Sequence, residues 1–79
     1  MFDTAEFNLF VGKRIKEARL AAGMSQPKLG EAIGLHGLTA TTKISKIETG
    51  ISAIEFPRLV MIAKATGKSL YFFTGDYLQ

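Results

Sequence analysis

Apolar residues recur along this chain at three- and four-residue intervals, broken by glycines, and nowhere alternate with polar residues at period two. The spacing predicts a first helix from about Asn8 to Ala22, with Val11, Ile15 and Ala18 on one face and Lys13, Arg14, Lys16, Glu17 and Arg19 filling the rest. Gly23 ends it, and Met24 packs back into the core. Before it, Met1–Asn8 is a loosely patterned extension whose large side chains are Phe2 and Phe7. Ser25 is an N-cap residue and Pro27 falls in the first turn it opens, where a missing N–H costs little. Leu29, Ala32 and Ile33 then mark a short helix that Gly34 closes. After a polar gap the period resumes at Ile44 and Ile47, and Gly50 stops it. Ile51–Glu55 reads as a linker. A fourth helix, Phe56–Thr66, carries Phe56, Leu59, Ile62 and Ala63 inward, with Pro57 in its first turn and Gly67 past its end. Ser69 caps a last helix, Leu70–Thr74, with Leu70 and Phe73 inward and Gly75 terminating it. Five helices around one core, an all-α single domain over 1–79, is the predicted architecture.

Gly30 sits inside the second predicted helix, where it costs about 1 kcal/mol against alanine, so a packing reason such as a helix crossing close over it is expected. Two short helices over residues 25–50, a small residue at their crossing and a Thr/Lys outer face describe a helix-turn-helix. The residues that carry the pattern are Ser25–Gln26, Leu29, Gly30, Ile33–Gly34 and the run Ile44-Ser45-Lys46-Ile47-Glu48-Thr49-Gly50. In these the segment resembles the phage Cro and repressor family, or XRE type, whose I-S-x-I-E-x-G signature the last run matches, and the likeness extends from about Val11 to Asp76. The resemblance implies a compact five-helix, lambda-repressor-like DNA-binding domain. One departure stands out: HGLTATTK separates Leu35 from Ile44, eight residues where members of the family it resembles usually have about four. The turn, the start of the second motif helix, or both are longer here.

Charge is compatible with that reading. Ten Lys+Arg against seven Asp+Glu leave a net +3, mildly basic. The absence of cysteine excludes disulfides and thiolate metal sites and is compatible with a reducing cytoplasm, the expected location. The opening MFDTAEFNLF holds Asp3 and Glu6 in place of a cationic n-region, so no secretion signal is expected there, and no apolar run reaches the ~18 residues of a membrane span. The acids are scattered, no Ser/His/Asp set forms, and the glycines make no phosphate loop, so enzymatic chemistry is unsupported. His36 is the sole histidine, a residue expected to be exposed and idle and unable to hold a metal alone. No cofactor and no small-molecule ligand is expected.

With Ile44 and Ile47 facing the core, Thr41, Thr42, Lys43, Ser45 and Lys46 are left outside or flanking. The resemblance implies base contacts by Thr41, Thr42 and Lys46 in the major groove, with Lys43 on the backbone flank. Thr can bond either base type or set its methyl against thymine, and Lys can donate to guanine. The resemblance likewise implies backbone contacts by Gln26 and Thr49. Lys28, a cation at a helix N-terminus, opposes the macrodipole, a cost that a phosphate would reverse. Arg19 and Glu48 match a family pair that ties the first helix to the end of the recognition helix, through a bidentate Arg–carboxylate bond.

At 47% hydrophobic, so short a chain leaves apolar surface for a partner. A homodimer is expected, through Leu20 and Met61, where relatives tend to be polar, and through Tyr71, Phe72 and Tyr77. The competing arrangement has Phe2 and Phe7 folding back over this aromatic patch. The expected function is therefore a double-stranded-DNA-binding transcriptional regulator, a repressor acting as a homodimer. The alternative is a protein-interaction module of antitoxin type on the same fold, with weak or lost DNA binding.

Overall fold

The computed structural model describes residues 2–75 and 77. It contains five helices and, among the described residues, no strand: α1 Thr4–Ala21, α2 Gln26–Ala32, α3 Gly37–Glu48, α4 Phe56–Thr66 and α5 Leu70–Thr74. Three start where a side chain takes an orphan amide of the first turn. Asp3 accepts from the Glu6 amide, Ser25 from that of Lys28 and Ser69 from that of Phe72. The Asp3 cap corrects the expected start near Asn8: the helix opens four residues earlier and takes most of the expected extension into its first turns.

The core is built from one stripe of each helix. Val11, Ile15, Ala18, Leu29, Ile33, Ile44, Ile47, Leu59, Ile62, Ala63 and Phe73 form one buried cluster, with Met24 and Phe72 packed on it. Three expected core positions lie outside it. Ala32 is exposed on the far side of α2. Phe56, the first residue of α4, is 65% exposed, and Leu70, the first of α5, is 37% exposed. Each of the last two opens its helix, where the core has already tapered.

α2 and α3 form the helix-turn-helix. Gly34, at φ +87°, reverses the chain after α2, and the amides of Gly34 and Leu35 return to the carbonyls of Glu31 and Gly30. The expected close crossing falls at Gly30: a Cβ there would lie 2.5 Å from the Ala40 Cβ and 2.9 Å from its Cα. Gly12 does the same between α1 and α3, where a Cβ would press on the carbonyl oxygens of Ile47 and Glu48. The long interval before Ile44 is helix: α3 takes in Gly37 to Lys43, and the turn keeps a short length.

Candidate nucleic-acid interface

The inward stripe of α3 is Ala40, Ile44, Ile47 and Glu48, which turns Leu38, Thr39, Thr42 and Lys46 outward. Lys43 is half-buried on one flank. Leu38, Thr39, Thr42, Lys43 and Lys46, with Ser52 of the following loop, line one shallow groove. Thr41 does not join it; this half-buried side chain lies on the opposite flank of the helix. Leu38 and Thr39 belong to the face and were absent from the sequence-based set, because the first turn of α3 carries no cap signature. Its N-cap is His36, exposed and without a side-chain cap bond. Leu38, 88% exposed, is the most exposed large apolar residue of the described chain.

α3 is fixed to α1 by a buried ion pair. Arg19 Nε donates to Glu48 Oε2 at 2.6 Å and Nη2 donates to Oε1 at 3.2 Å, a bidentate fork. The third arm, Nη1, donates to the Met24 carbonyl at 3.0 Å, just before α2. Gln26 joins the cluster, its Nε2 donating to Glu48 Oε1 at 3.2 Å. One carboxylate therefore ties together α1, the first residue of α2 and the end of α3. An amide group has two N–H donors, so Gln26 keeps one for an outside acceptor while the other holds its side chain in place.

The remaining backbone-contact candidates differ. Lys28 is exposed in the first turn of α2, and its own amide is capped by Ser25 Oγ at 3.2 Å. Thr49 is exposed, but its hydroxyl donates to the Ser45 carbonyl at 2.9 Å. That proton is committed to the end of α3, and a phosphate contact needs the hydroxyl to rotate away.

The expected dimer surface divides. Leu20, Met61 and Tyr71 are exposed. Tyr77 is half-buried: its ring lies 5.3 Å from that of Phe7, 5.8 Å from Phe2 and 5.6 Å from Phe10, and its hydroxyl donates to the Asp3 carbonyl at 3.3 Å. Phe72 is half-buried, packed edge-on against Phe73, with Arg14 and Lys68 over its ring at 4.8 and 5.0 Å. The fold-back of Phe2 and Phe7 thus occurs around Tyr77, and cation–π contacts cover Phe72. Both rings are thus half-buried within the chain, while Leu20, Met61 and Tyr71 stay exposed.

A five-helix domain with a helix-turn-helix, a locked α3 and a polar, partly basic outer groove defines a class of protein. Residues 15–73 match the family model described as helix-turn-helix, and the chain belongs to this XRE-type family. It is 39% identical over 67 residues to an uncharacterized HTH-type transcriptional regulator of Rickettsia conorii, a match covering 84% of this chain and 50% of that protein. A Rickettsia prowazekii relative of the same description is 37% identical over 67 residues, covering 84% and 48%. One from Sinorhizobium medicae is 35% identical over 69 residues, covering 87% and 47%. The chain spans about half the length of the curated relatives it matches.

Proposed function

We propose that this chain is the DNA-reading domain of a transcriptional repressor, which binds double-stranded DNA as a homodimer with α3 in the major groove. The observation that carries the reading is the groove face of α3. Its polar members, Thr39, Thr42, Lys43 and Lys46, and the exposed Leu38 all lie on the side away from the core. A groove that admits one helix presents donors, acceptors and thymine methyls to such a face. Thr42 and Lys46 are the central base readers, with Thr39 and Leu38 ahead of them and Thr41 at the margin. Gln26, Lys28 and Lys43 hold phosphates and set the register. Thr49 contributes only if its hydroxyl turns. The relatives' description as HTH-type transcriptional regulators supports the same reading.

The test is a retardation assay on random duplex over a salt series. Lys43→Ala with Lys46→Ala should weaken binding to every sequence and flatten the salt dependence by about 0.9 in slope for each phosphate that is no longer neutralised. Thr42→Ala should shift preference between sites by roughly 1–3 kcal/mol for a good base contact. A double lysine variant that binds like the parent at every salt removes α3 from the groove and leaves the interaction-module alternative.

A further inference from the structure

We infer that this protein selects thymine by its C5-methyl group, and that Leu38 is the side chain that reads it. The inference rests on the DNA reading just proposed and names the base chemistry that α3 recognises. The recognition helix of a helix-turn-helix meets base edges with its N-terminal residues. In α3 these are Leu38, Thr39 and Thr42, all exposed on the groove face. Leu38, Thr42 and Lys46 follow one another at intervals of four, which makes them one row about 12 Å long from the helical rise per residue. That is roughly three steps of the 3.4 Å spacing along a DNA strand.

What the row lacks decides what it can read. Adenine is recognised by a paired donor and acceptor, which Asn or Gln supplies, and cytosine by an acceptor, which Asp or Glu supplies. Residues 37–47 contain none of these four types. Glu48 is engaged by Arg19, and Gln26 is tied to Glu48. The acceptors that remain on the face are hydroxyls, which suit any base. Lys46 only donates, which suits guanine. The thymine methyl is the one apolar group in the major-groove pattern of the bases, and Leu38 is the one side chain lining the α3 groove that has no polar atom.

The surroundings of Leu38 favour DNA over a protein partner. An apolar docking patch is contiguous, whereas Leu38 shares its groove with the hydroxyls of Thr39, Thr42 and Ser52 and the ammonium groups of Lys43 and Lys46. Those two cations attract a phosphate-lined groove, and Leu38, 88% exposed, leaves water when a methyl meets it. Burying one methyl is worth about fourfold in affinity. Thr39 and Thr42 each carry a methyl and extend the same preference. A half-site should therefore hold thymine opposite the start of α3 and guanine toward Lys46.

The test takes a site enriched by the full chain from a random duplex pool and remakes it with deoxyuridine at each thymine in turn. Deoxyuridine lacks only the C5 methyl, so charge and hydrogen-bonding edges are kept. Retardation over a salt series should show a loss of about fourfold for each methyl that is read, with the salt slope unchanged. Cytosine and 5-methylcytosine exchanged at such a position should differ by a similar factor, in favour of the methylated base. Leu38→Ala should melt like the parent, since the side chain is exposed, and should abolish the methyl difference at one thymine or more. Lys46→Ala should keep that difference and lose the preference for guanine. Deoxyuridine without effect at every thymine, or a methyl dependence that Leu38→Ala leaves undiminished at every position, overturns the inference and leaves the DNA reading in place. A parent that retards no duplex at low salt ends the DNA reading itself, and this inference with it.

Discussion

Replacing Glu48 by Gln removes the charge that Arg19 faces and keeps the shape. Both side chains are almost fully buried. In the parent, the Arg19 guanidinium spends two arms on the carboxylate and one on the Met24 carbonyl. In Glu48→Gln one oxygen becomes an NH₂, so either the 2.6 Å contact to Arg19 Nε or the 3.2 Å contacts to Arg19 and Gln26 becomes donor against donor. A buried charge that loses its partner costs about 3–5 kcal/mol. Domains have about 0.05–0.15 kcal/mol of stability per residue, which puts this one at roughly 4–12 kcal/mol in total. Each kcal/mol moves the midpoint of a domain this small by about 4–8 °C, so a fall of at least about 12 °C is expected. Arg19→Met leaves the carboxylate buried in turn and should cost a similar amount.

The double variant, Arg19→Met with Glu48→Leu, separates coupling from simple loss. Apolar replacement of a whole buried pair is often neutral or stabilising. It should melt well above either single variant, with a coupling of about 2 kcal/mol or more in the cycle. It should still bind duplex less well, because Gln26 no longer has the acceptor that holds its side chain in place. Thermal melts followed by circular dichroism, at one ionic strength, give all four corners. Two small and additive single losses would mean that the pair is hydrated and does not fix α3.

Three further outcomes can be checked alongside those already stated for Lys43, Lys46 and Thr42. Gly30→Ala gains about 1 kcal/mol of helix propensity but drives a methyl into Ala40, at an overpacking cost of about 1–3 kcal/mol; urea melts should show net destabilisation, relieved by adding Ala40→Gly. Gly12→Ala should be worse, because the atoms in its way are backbone carbonyls of Ile47 and Glu48, and no compensating side-chain change exists. Burial among the rings, with the Glu6 and Asp3 carboxylates near, raises the Tyr77 phenol above its ordinary 10.0, so an absorbance titration should show this tyrosine ionising late. The unfolded chain then loses its proton first, so this contribution to stability is present below about pH 10 and fades as pH rises through the folded midpoint; Tyr77→Phe should flatten that alkaline decline.

Much of the fold was legible because its punctuation is local. Ser25, Pro27 and Gly34 bound α2, Pro57 and Gly67 bound α4, and Ser69 opens α5, each for a reason that one turn of chain supplies. Gly30 likewise disclosed a crossing by its cost in a helix interior. The start of α1 was signalled by Asp3 with Glu6 three residues on, and the lack of a strong apolar face before Val11 concealed it. The start of α3 had no signal: His36 and Gly37 are poor openers and Thr39, Thr41 and Thr42 indifferent formers, so the turn forms because Ala40 must meet Gly30. That is tertiary information. The fate of Tyr77 is of the same kind, since nothing local says that Phe2, Phe7 and Phe10 will surround a residue near the other end of the chain.

The places where the apolar pattern and the core disagree are themselves informative. Leu38 lies outside the core-facing row of α3, and Phe56 opens α4 ahead of the positions that reach the core. Neither belongs to the buried cluster, and each leaves most of a large apolar side chain in water. Sequences tend to break their own local logic where another requirement is being met. Leu38 shares the α3 groove with Ser52, and Phe56 shares the neighbouring apolar pocket with the same residue. An apolar residue at the mouth of the groove suits a thymine methyl. The loop between α3 and α4 is poor in cations, its sequence ISAIE carrying none, so it adds little to phosphate attraction. Phosphate contacts in the proposed complex therefore fall to the residues of α2 and α3, Gln26, Lys28 and Lys43, and not to the loop that follows.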